Sequence, residues 1–558
     1  MSSQPAPRSR TALDEVADDY VDLVARLDPF LATALGVTGH DHEATDYTAA
    51  GFAARTDAAR AVLRAVDAVP DADAVDTVTR AAMQERLGLE IDLDDALVTP
   101  SQVNNIDSPL QSRDVLDQMP TDTAEDWEVI AERLRAMPDS LAGWGRSLRE
   151  CADQGAISSR RQLELGAQEA RGYAAADTGF FARFARDAVG GDALREEVSR
   201  QAAATARAYE ELADVLEELI PRAPESDAVG RDAYALRSRV FVGDTIDLEE
   251  TYAWGIQELQ SIIAEQEQIA QRINDRAGNG GGRSVEAARA ALDQDPERTL
   301  HGTDALQAWM QELADTAVAD LAGSHFDIPE PLHRLECRIA RTGSGGIYYT
   351  GPSEDLSRPG RMWWDVPEGV TEFHTWAETT TVYHEGVPGH HLQVGTQTLQ
   401  TQQLNRWRAL LCWVSGHGEG WALYAERLME QLGYLEDDGD RLGMLDAQRL
   451  RAGRVVLDIG FHCGFAMPEG LAASPGGPWT YEKAWDFMSA HWGMREAEQR
   501  FELHRYLGWP GQAPSYKLGQ RAWERLRDEH AGDDLRGFHR RALELGSLPL
   551  SVLGDALA

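Results

Sequence analysis

Lysine is almost absent from this sequence: only Lys483 and Lys517 occur among 558 residues, and the other basic side chains are arginines. Lys and Arg together number 53 against 93 Asp and Glu, which gives a formal net charge of −40. A surface this acidic repels nucleic-acid phosphates and anionic lipid headgroups. The composition therefore predicts a protein that binds neither nucleic acid nor membranes.

Cysteine is scarce as well, and the four cysteines are too far apart to form a C-x-x-C pair. This spacing excludes a disulfide scaffold and a thiolate zinc finger. No apolar run reaches the length of about 18 residues that a membrane span needs, and the first 20 residues lack the apolar core of a secretory signal. We therefore expect a cytoplasmic protein, either monomeric or homodimeric.

Alternating strand patterns are also few, whereas helical periodicity is common. One helix face is marked by five apolar residues at the required spacing: Trp127, Ile130, Ala131, Leu134 and Met137. Asp247 is a candidate N-cap for a second long amphipathic helix. These patterns predict a mainly α-helical protein.

The segment 342–370 differs from its surroundings because it is rich in Gly, Pro and aromatic residues. Residues 347–349 and 362–364 are short strand candidates between turn residues, and helical periodicity resumes near Glu372. We predict an N-terminal helical region, 1–330, and a catalytic region, 331–558, that form one continuous two-lobed unit with a small β-sheet beside the active-site helix.

Seven of the 15 histidines lie between His374 and His491, centred on His384-Glu385. In the H-E-x-x-H pattern, two histidines at i and i+4 on one helix face bind zinc and the glutamate serves as general base. Here position i+4 is Pro388, which breaks a regular helix. A bulge of two residues would return His390 to the ligand position, and a bulge of three would return His391; the sequence favours His390.

A third ligand is suggested downstream, where Glu419 and Glu426 stand seven residues apart on one predicted helix face. This stretch resembles the E-G-F/W-A-x-Y-x-E segment of zinc aminopeptidases, in which the first glutamate binds the metal. By that resemblance Glu419 is the third ligand, and Glu426 orients a histidine.

Three segments together resemble a known family, namely HEGVPGHHLQ (384–393), EGWALYAE (419–426) and WPGQAPSYKLGQ (509–520). The chain resembles the bacterial domain-of-unknown-function family 885, which is placed among gluzincin-like zinc metallopeptidases. The resemblance implies a helical fold like that of thimet oligopeptidase or angiotensin-converting enzyme, and hydrolysis of peptide bonds. Pro514 departs from the family pattern and puts the roles of its neighbours in question.

The expected mechanism uses one Zn²⁺ per chain, held by His384, His390 or His391, and Glu419. Glu385 takes a proton from the zinc-activated water and passes it to the leaving amine. His462 and Tyr516 are candidate donors to the oxyanion of the tetrahedral intermediate.

The expected substrate is a short peptide. Lys517, Arg454 and Arg505 are candidates for binding a terminal carboxylate. Tyr348 lies on a candidate edge strand that could pair with an extended peptide. Two alternatives stay open at this point: a zinc amidohydrolase for a specialised amide, and a non-catalytic helical binding protein with a relic site.

Overall fold

Helices dominate the computed structural model, which describes residues 7–340, 346–353 and 355–558. The helices in the first half are α1 (Ala12–Leu27), α2 (Pro29–Ala34), α3 (Ala49–Ala68), α4 (Ala74–Asp95), α5 (Val98–Ser101), α6 (Ala124–Asp153), α7 (Arg160–Ala174), α8 (Phe180–Phe184), α9 (Asp192–Leu219), α10 (Arg231–Val242) and α11 (Leu248–Ala277). Those in the second half are α12 (Val285–Asp293), α13 (Thr303–Leu321), α14 (Thr375–Glu385), α15 (His390–Leu399), α16 (Arg406–Leu410), α17 (Ser415–Gln431), α18 (Asp438–Cys463), α19 (Tyr481–His491), α20 (Glu496–Gly508), α21 (Ser515–His530), α22 (Leu535–Glu544) and α23 (Leu550–Leu557).

Short strands lie between the helices of the second half. They are β1 (Thr299–His301), β2 (Leu335–Ala340), β3 (Ile347–Thr350), β4 (Gly360–Asp365) and β5 (Glu372–His374). Strand β4 pairs with β2 in parallel and with β3 in antiparallel orientation, so β3 is an edge of this three-stranded sheet, and β1 pairs with β5. Both strand candidates are thus confirmed.

The contacts divide the chain into two compact units. Unit 1 contains Ser238–Arg495 and Gly511–Ala558 with the described residues before Arg10, and unit 2 contains Arg10–Arg237 and Glu496–Pro510. The predicted boundary at 330 therefore does not coincide with the contact-based division. The reason is that α11, although N-terminal to 330, packs along α18 of unit 1.

Unit 2 has its core around α6, which packs against α9. The five apolar residues predicted to share a helix face are all buried in this core, so that prediction is confirmed. Thr123 caps the helix: its side chain accepts a hydrogen bond from the Asp126 N–H, and the Asp126 carboxylate accepts one in return.

Unit 1 packs the three-stranded sheet against α13 and α14. Its apolar cluster joins Met310 of α13, Met362 and Trp364 of β4, and Val382 of α14. The Asp247 side chain caps α11 as predicted, accepting from the Glu250 N–H. Helix α14 begins at Thr375 rather than near Glu372, because the preceding three residues pair with β1.

Two sequence-based exclusions can be compared with the described residues. All four cysteines are buried and free, which confirms that the fold uses no disulfide. Within the described part of the chain, every helix is too short or too polar to span a bilayer.

Candidate metal centre

The His384–His391 segment forms a break between two helices rather than a bulge in one helix. Helix α14 ends at Glu385, and α15 begins at His390. Gly389 makes the break possible, because a Cβ at this position would lie 1.9 Å from the His384 carbonyl oxygen. The Trp421 Nε1–H donates to the carbonyls of Pro388 (2.8 Å) and Gly389 (3.2 Å), which fixes the linker.

This break brings three predicted ligands together. The Oε2 atom of Glu419 on α17 lies 3.4 Å from His384 Nε2 and 3.6 Å from His390 Nε2. The ligand atoms of all three residues lie within 4.8 Å of one another. Tetrahedral zinc with ligands at about 2.0–2.1 Å requires donor atoms about 3.3 Å apart, so this two-imidazole, one-carboxylate set fits the ion.

The electrostatics of the cluster favour a cation among these donors. Burial alone would lower the pKa of His384, but the carboxylates of Glu419 and Glu426 outweigh it and raise that pKa to about 10. Burial would raise the pKa of Glu419, but His384 and His390 hold it well below its usual range. The site therefore stabilises positive charge next to a carboxylate that stays ionised.

Glu426 contacts the first imidazole, and this contact is the arrangement that its predicted orienting role requires. Its Oε1 lies 2.8 Å from His384 Nδ1, and its Oε2 accepts a hydrogen bond from the Thr380 hydroxyl at 2.6 Å. With Nδ1 directed to Glu426, Nε2 of His384 is the ring nitrogen that faces Glu419, and it would offer its lone pair to a metal ion bound there. The Glu426 carboxylate thus holds the orientation of the His384 ring.

We expect Glu426→Gln to weaken zinc binding by about 10- to 100-fold, because the amide keeps the shape but loses the charge that orients His384. Zinc affinity is measured by competition with a fluorescent chelator. Glu436→Gln, at an exposed position beyond the C-terminus of α17, is the control. Equal affinities for the two variants would contradict the orienting role.

His391, the alternative ligand, does not join the cluster. It is fully buried; its Nε2 lies 2.9 Å from the Leu332 carbonyl oxygen, and its Nδ1 lies 2.9 Å from the Tyr349 hydroxyl. Burial lowers its pKa to about 4, so the ring is neutral, with Nε2–H donating and Nδ1 accepting. Gly360 leaves room for this pair, since a Cβ there would lie 2.1 Å from the Tyr349 hydroxyl oxygen. Both nitrogens are used, so the geometry supports His390 as the second ligand.

Glu385, the predicted general base, ends α14 directly after His384 and is buried. Burial raises the pKa of its carboxyl, against the opposing charges of His390, His384 and Arg451. A raised pKa makes the carboxylate a stronger base, which suits proton transfer. Arg451 was not among the residues predicted from the sequence. The only sequence feature that pointed to it is its position one helical turn before Arg454.

Tyr516 and Arg454 lie near this arginine. The guanidinium carbon of Arg454 is 5.2 Å from the centroid of the Tyr516 ring, and that of Arg451 is 6.0 Å from it. Both predicted residues thus lie near Arg451, whose charge acts on Glu385. His462 is buried further along α18, with Nε2 3.8 Å from Asp458 Oδ1, and its role as an oxyanion donor stays a prediction.

Lys517 is a correction to the sequence-based prediction. Its ammonium group faces three acceptors: Glu258 Oε1 at 2.8 Å, Gln448 Oε1 at 2.6 Å and Gln520 Oε1 at 3.0 Å. The group is buried and has only three N–H donors. All three are used within unit 1, so the structure contradicts a role for Lys517 in binding a substrate carboxylate.

The two other predicted substrate-binding residues lie in different units. Arg505 belongs to unit 2, where its guanidinium pairs with Glu502 at 2.8 Å. Tyr348 is 44% exposed on the edge strand β3, and its ring stacks on Trp363 with a centroid distance of 6.2 Å. The predicted roles of both residues stay predictions.

Residues 29–557 match the family described as "Bacterial protein of unknown function (DUF885)". The chain belongs to this family. All three segments that suggested it lie within the matched range, and DUF885 has no assigned catalytic activity. A comparison with curated proteins gave no match.

Two solved structures share the fold. One is described as "the putative lipoprotein from Colwellia psychrerythraea"; it has a TM-score of 0.80 and 22% identity over 98% of both chains. The other is "a putative lipoprotein of unknown function from Shewanella oneidensis", with a TM-score of 0.76 and 16% identity over 98% of this chain and 99% of that one. At these identities the likeness concerns the fold.

Proposed function

We propose that this DUF885 protein is a zinc-dependent peptidase that hydrolyses short peptides. The observation that carries the proposal is the convergence of His384, His390 and Glu419, with their ligand atoms within 4.8 Å of one another. A buried glutamate, Glu385, directly follows the first of these residues in the chain. Two imidazoles, one carboxylate and an adjacent general base are the parts of a hydrolytic zinc site of the gluzincin kind.

The chain's own residues supply the proton transfers. Zinc, when bound, supplies Lewis-acid activation of a water molecule. The Glu385 carboxylate takes a proton from that water and later gives it to the nitrogen of the leaving amine. Burial raises the pKa of its carboxyl and so strengthens it as a base, while the charges of His390, His384 and Arg451 oppose this rise. Tyr516, beside Arg454 and Arg451, is the candidate donor to the developing oxyanion.

Substrate binding is assigned to the edge strand and to α18. Strand β3 pairs on one side with β4, and an extended peptide would hydrogen-bond to its other side. Tyr348 on this strand offers an exposed aromatic surface. Arg454 would pair with a terminal carboxylate of a short peptide.

We also propose that the helical fold is of the thimet-oligopeptidase or angiotensin-converting-enzyme kind.

The metal assignment is tested by an adjacent pair of histidines. We expect His390→Ala to lose bound zinc, because it removes one of three ligands. We expect His391→Ala to keep about one zinc per chain, because both nitrogens of His391 serve other bonds. Zinc is measured by plasma mass spectrometry after dialysis, with circular dichroism to check folding. The reverse pattern would transfer the ligand role to His391, and zinc retained by both variants would contradict the site.

Location is part of the proposal. Both solved relatives carry the description "putative lipoprotein", which favours an extracytoplasmic place of action over the cytoplasm expected from the sequence. A peptidase outside the cytoplasm would act on peptides from the surroundings.

A further inference from the structure

Unit 2 contains a cavity of about 360 Å³ that the proposed function does not use. The end of α4, the α6–α7 connection, α10 and the end of α20 form its wall, which is mostly apolar; examples are Leu97, Val103, Ile157, Val229 and Leu236. Ligand pockets in proteins commonly have about 300–1,000 Å³ and combine such walls with a few polar groups. The cavity therefore has the size and lining of a site for a small ligand.

Arg237 on α10 is the cation in this wall. Its Nη1 donates to Gln102 Oε1 at 2.8 Å, while its buried Nε has no hydrogen-bond partner among the described residues. Burial lowers its pKa to about 10, and no carboxylate in the described part of the chain offsets this effect. The group stays protonated at neutral pH, so it is a half-buried cation without a compensating carboxylate among the described residues.

Asp227, the carboxylate in the same wall, pairs with residues other than Arg237. Asp227 Oδ2 accepts from Arg161 Nε at 3.0 Å, and its Oδ1 accepts from the Ser159 hydroxyl at 2.6 Å. Desolvating a charge without a partner is costly, and proteins commonly avoid it. An arginine kept in this state beside a cavity indicates that its partner comes from outside the chain.

We propose that this cavity binds a small organic carboxylate with an apolar body, of about amino-acid to dipeptide size. The Nη1 of Arg237 is held by Gln102, and the residue lines the cavity. A guanidinium binds a carboxylate through charge-assisted hydrogen bonds. Leu97, Val103 and Leu236 would contact the apolar body. This inference is independent of the peptidase activity.

The test uses isothermal titration calorimetry of the full-length protein with N-acetyl-L-leucine and its neutral amide. We expect saturable binding of the acid and at least about 10-fold weaker binding of the amide, since the amide cannot form the charged pair. Arg237→Gln should weaken binding of the acid by at least about 10-fold. It should not lower Tm, because it removes a charge that lacks a partner. Ala233→Phe, one turn earlier on α10, keeps the guanidinium but fills the cavity, and should also abolish binding.

Two controls separate this site from others. Arg195→Gln, at an exposed arginine of the same unit, should bind the acid with unchanged affinity. His390→Ala should also bind it, which excludes product binding at the candidate metal centre. The proposal is overturned if the acid does not bind at about 10 mM, if acid and amide bind alike, if Arg237→Gln keeps its affinity, or if inorganic phosphate competes equally well.

Discussion

Peptide hydrolysis by Glu385→Gln is expected to be about 10²–10⁴-fold slower than by the wild type. The substitution preserves the size of a buried side chain but removes the atom that accepts the proton. Zinc content should stay at the wild-type level, because the ligand atoms come from other residues. The measurement is the initial rate on a fluorogenic peptide, with zinc determined in the same samples.

The combination of lost rate and kept metal distinguishes a general base from a structural residue. Glu436→Gln serves as the matched control, because Glu436 is exposed and lies beyond the end of α17; its rate should equal that of the wild type. A Glu385→Gln protein that retains zinc and full turnover would show that another group takes the proton.

A methyl group at Gly519 is expected to destabilise unit 1 by about 3 kcal/mol, at the upper end of overpacking penalties. Helices α17 and α21 cross with their backbones in contact at this residue. A Cβ on Gly519 would lie 2.0 Å from the Gly416 carbonyl oxygen, and a Cβ on Gly420 would lie 2.4 Å from the Gly519 carbonyl carbon. Backbone atoms cannot move aside like a flexible side chain, so the helices must separate.

Gly519→Ala should weaken zinc binding as well, because α17 carries both Glu419 and the carboxylate that orients His384. Stability is measured by urea unfolding, and zinc affinity by chelator competition. Gly88→Ala is the control: Gly88 lies inside helix α4 with nothing within 4 Å of its added Cβ. There alanine should stabilise by about 1 kcal/mol through helix propensity. Similar effects at the two sites would refute the close crossing.

The convergence of His384, His390 and Glu419 was largely predictable, because it depends on the local spacing of these residues in the sequence. His384 and Glu385 are adjacent, and Glu419 and Glu426 share one face of α17, so each pair needed only a helix to place it. The choice between His390 and His391 depended on the backbone path through Gly386–Gly389. That path is set by close contacts of Gly389 and by hydrogen bonds from Trp421, which is distant in sequence.

Residues whose roles depend on several distant helices could not be assigned from the sequence. Lys517 drew attention as one of two lysines, yet its acceptors come from α11, α18 and α21, and only their packing reveals a buried structural group. Arg451 had no distinctive pattern, and its importance follows from the fold of α18 beside Glu385. The contact-based division likewise depends on packing between distant segments, because α11 packs on α18, which is far from it in the chain.

The most direct test of the peptidase proposal is mass spectrometry of a defined mixture of short peptides incubated with zinc-loaded protein, with and without excess chelator. The account predicts cleavage that the chelator abolishes, with new peptide ends that distinguish amino-terminal, carboxy-terminal and internal cutting. Intact peptides after incubation with protein that demonstrably holds zinc would contradict peptide hydrolysis and point to a specialised amide substrate. Cleavage that continues in the presence of chelator would contradict the metal mechanism itself.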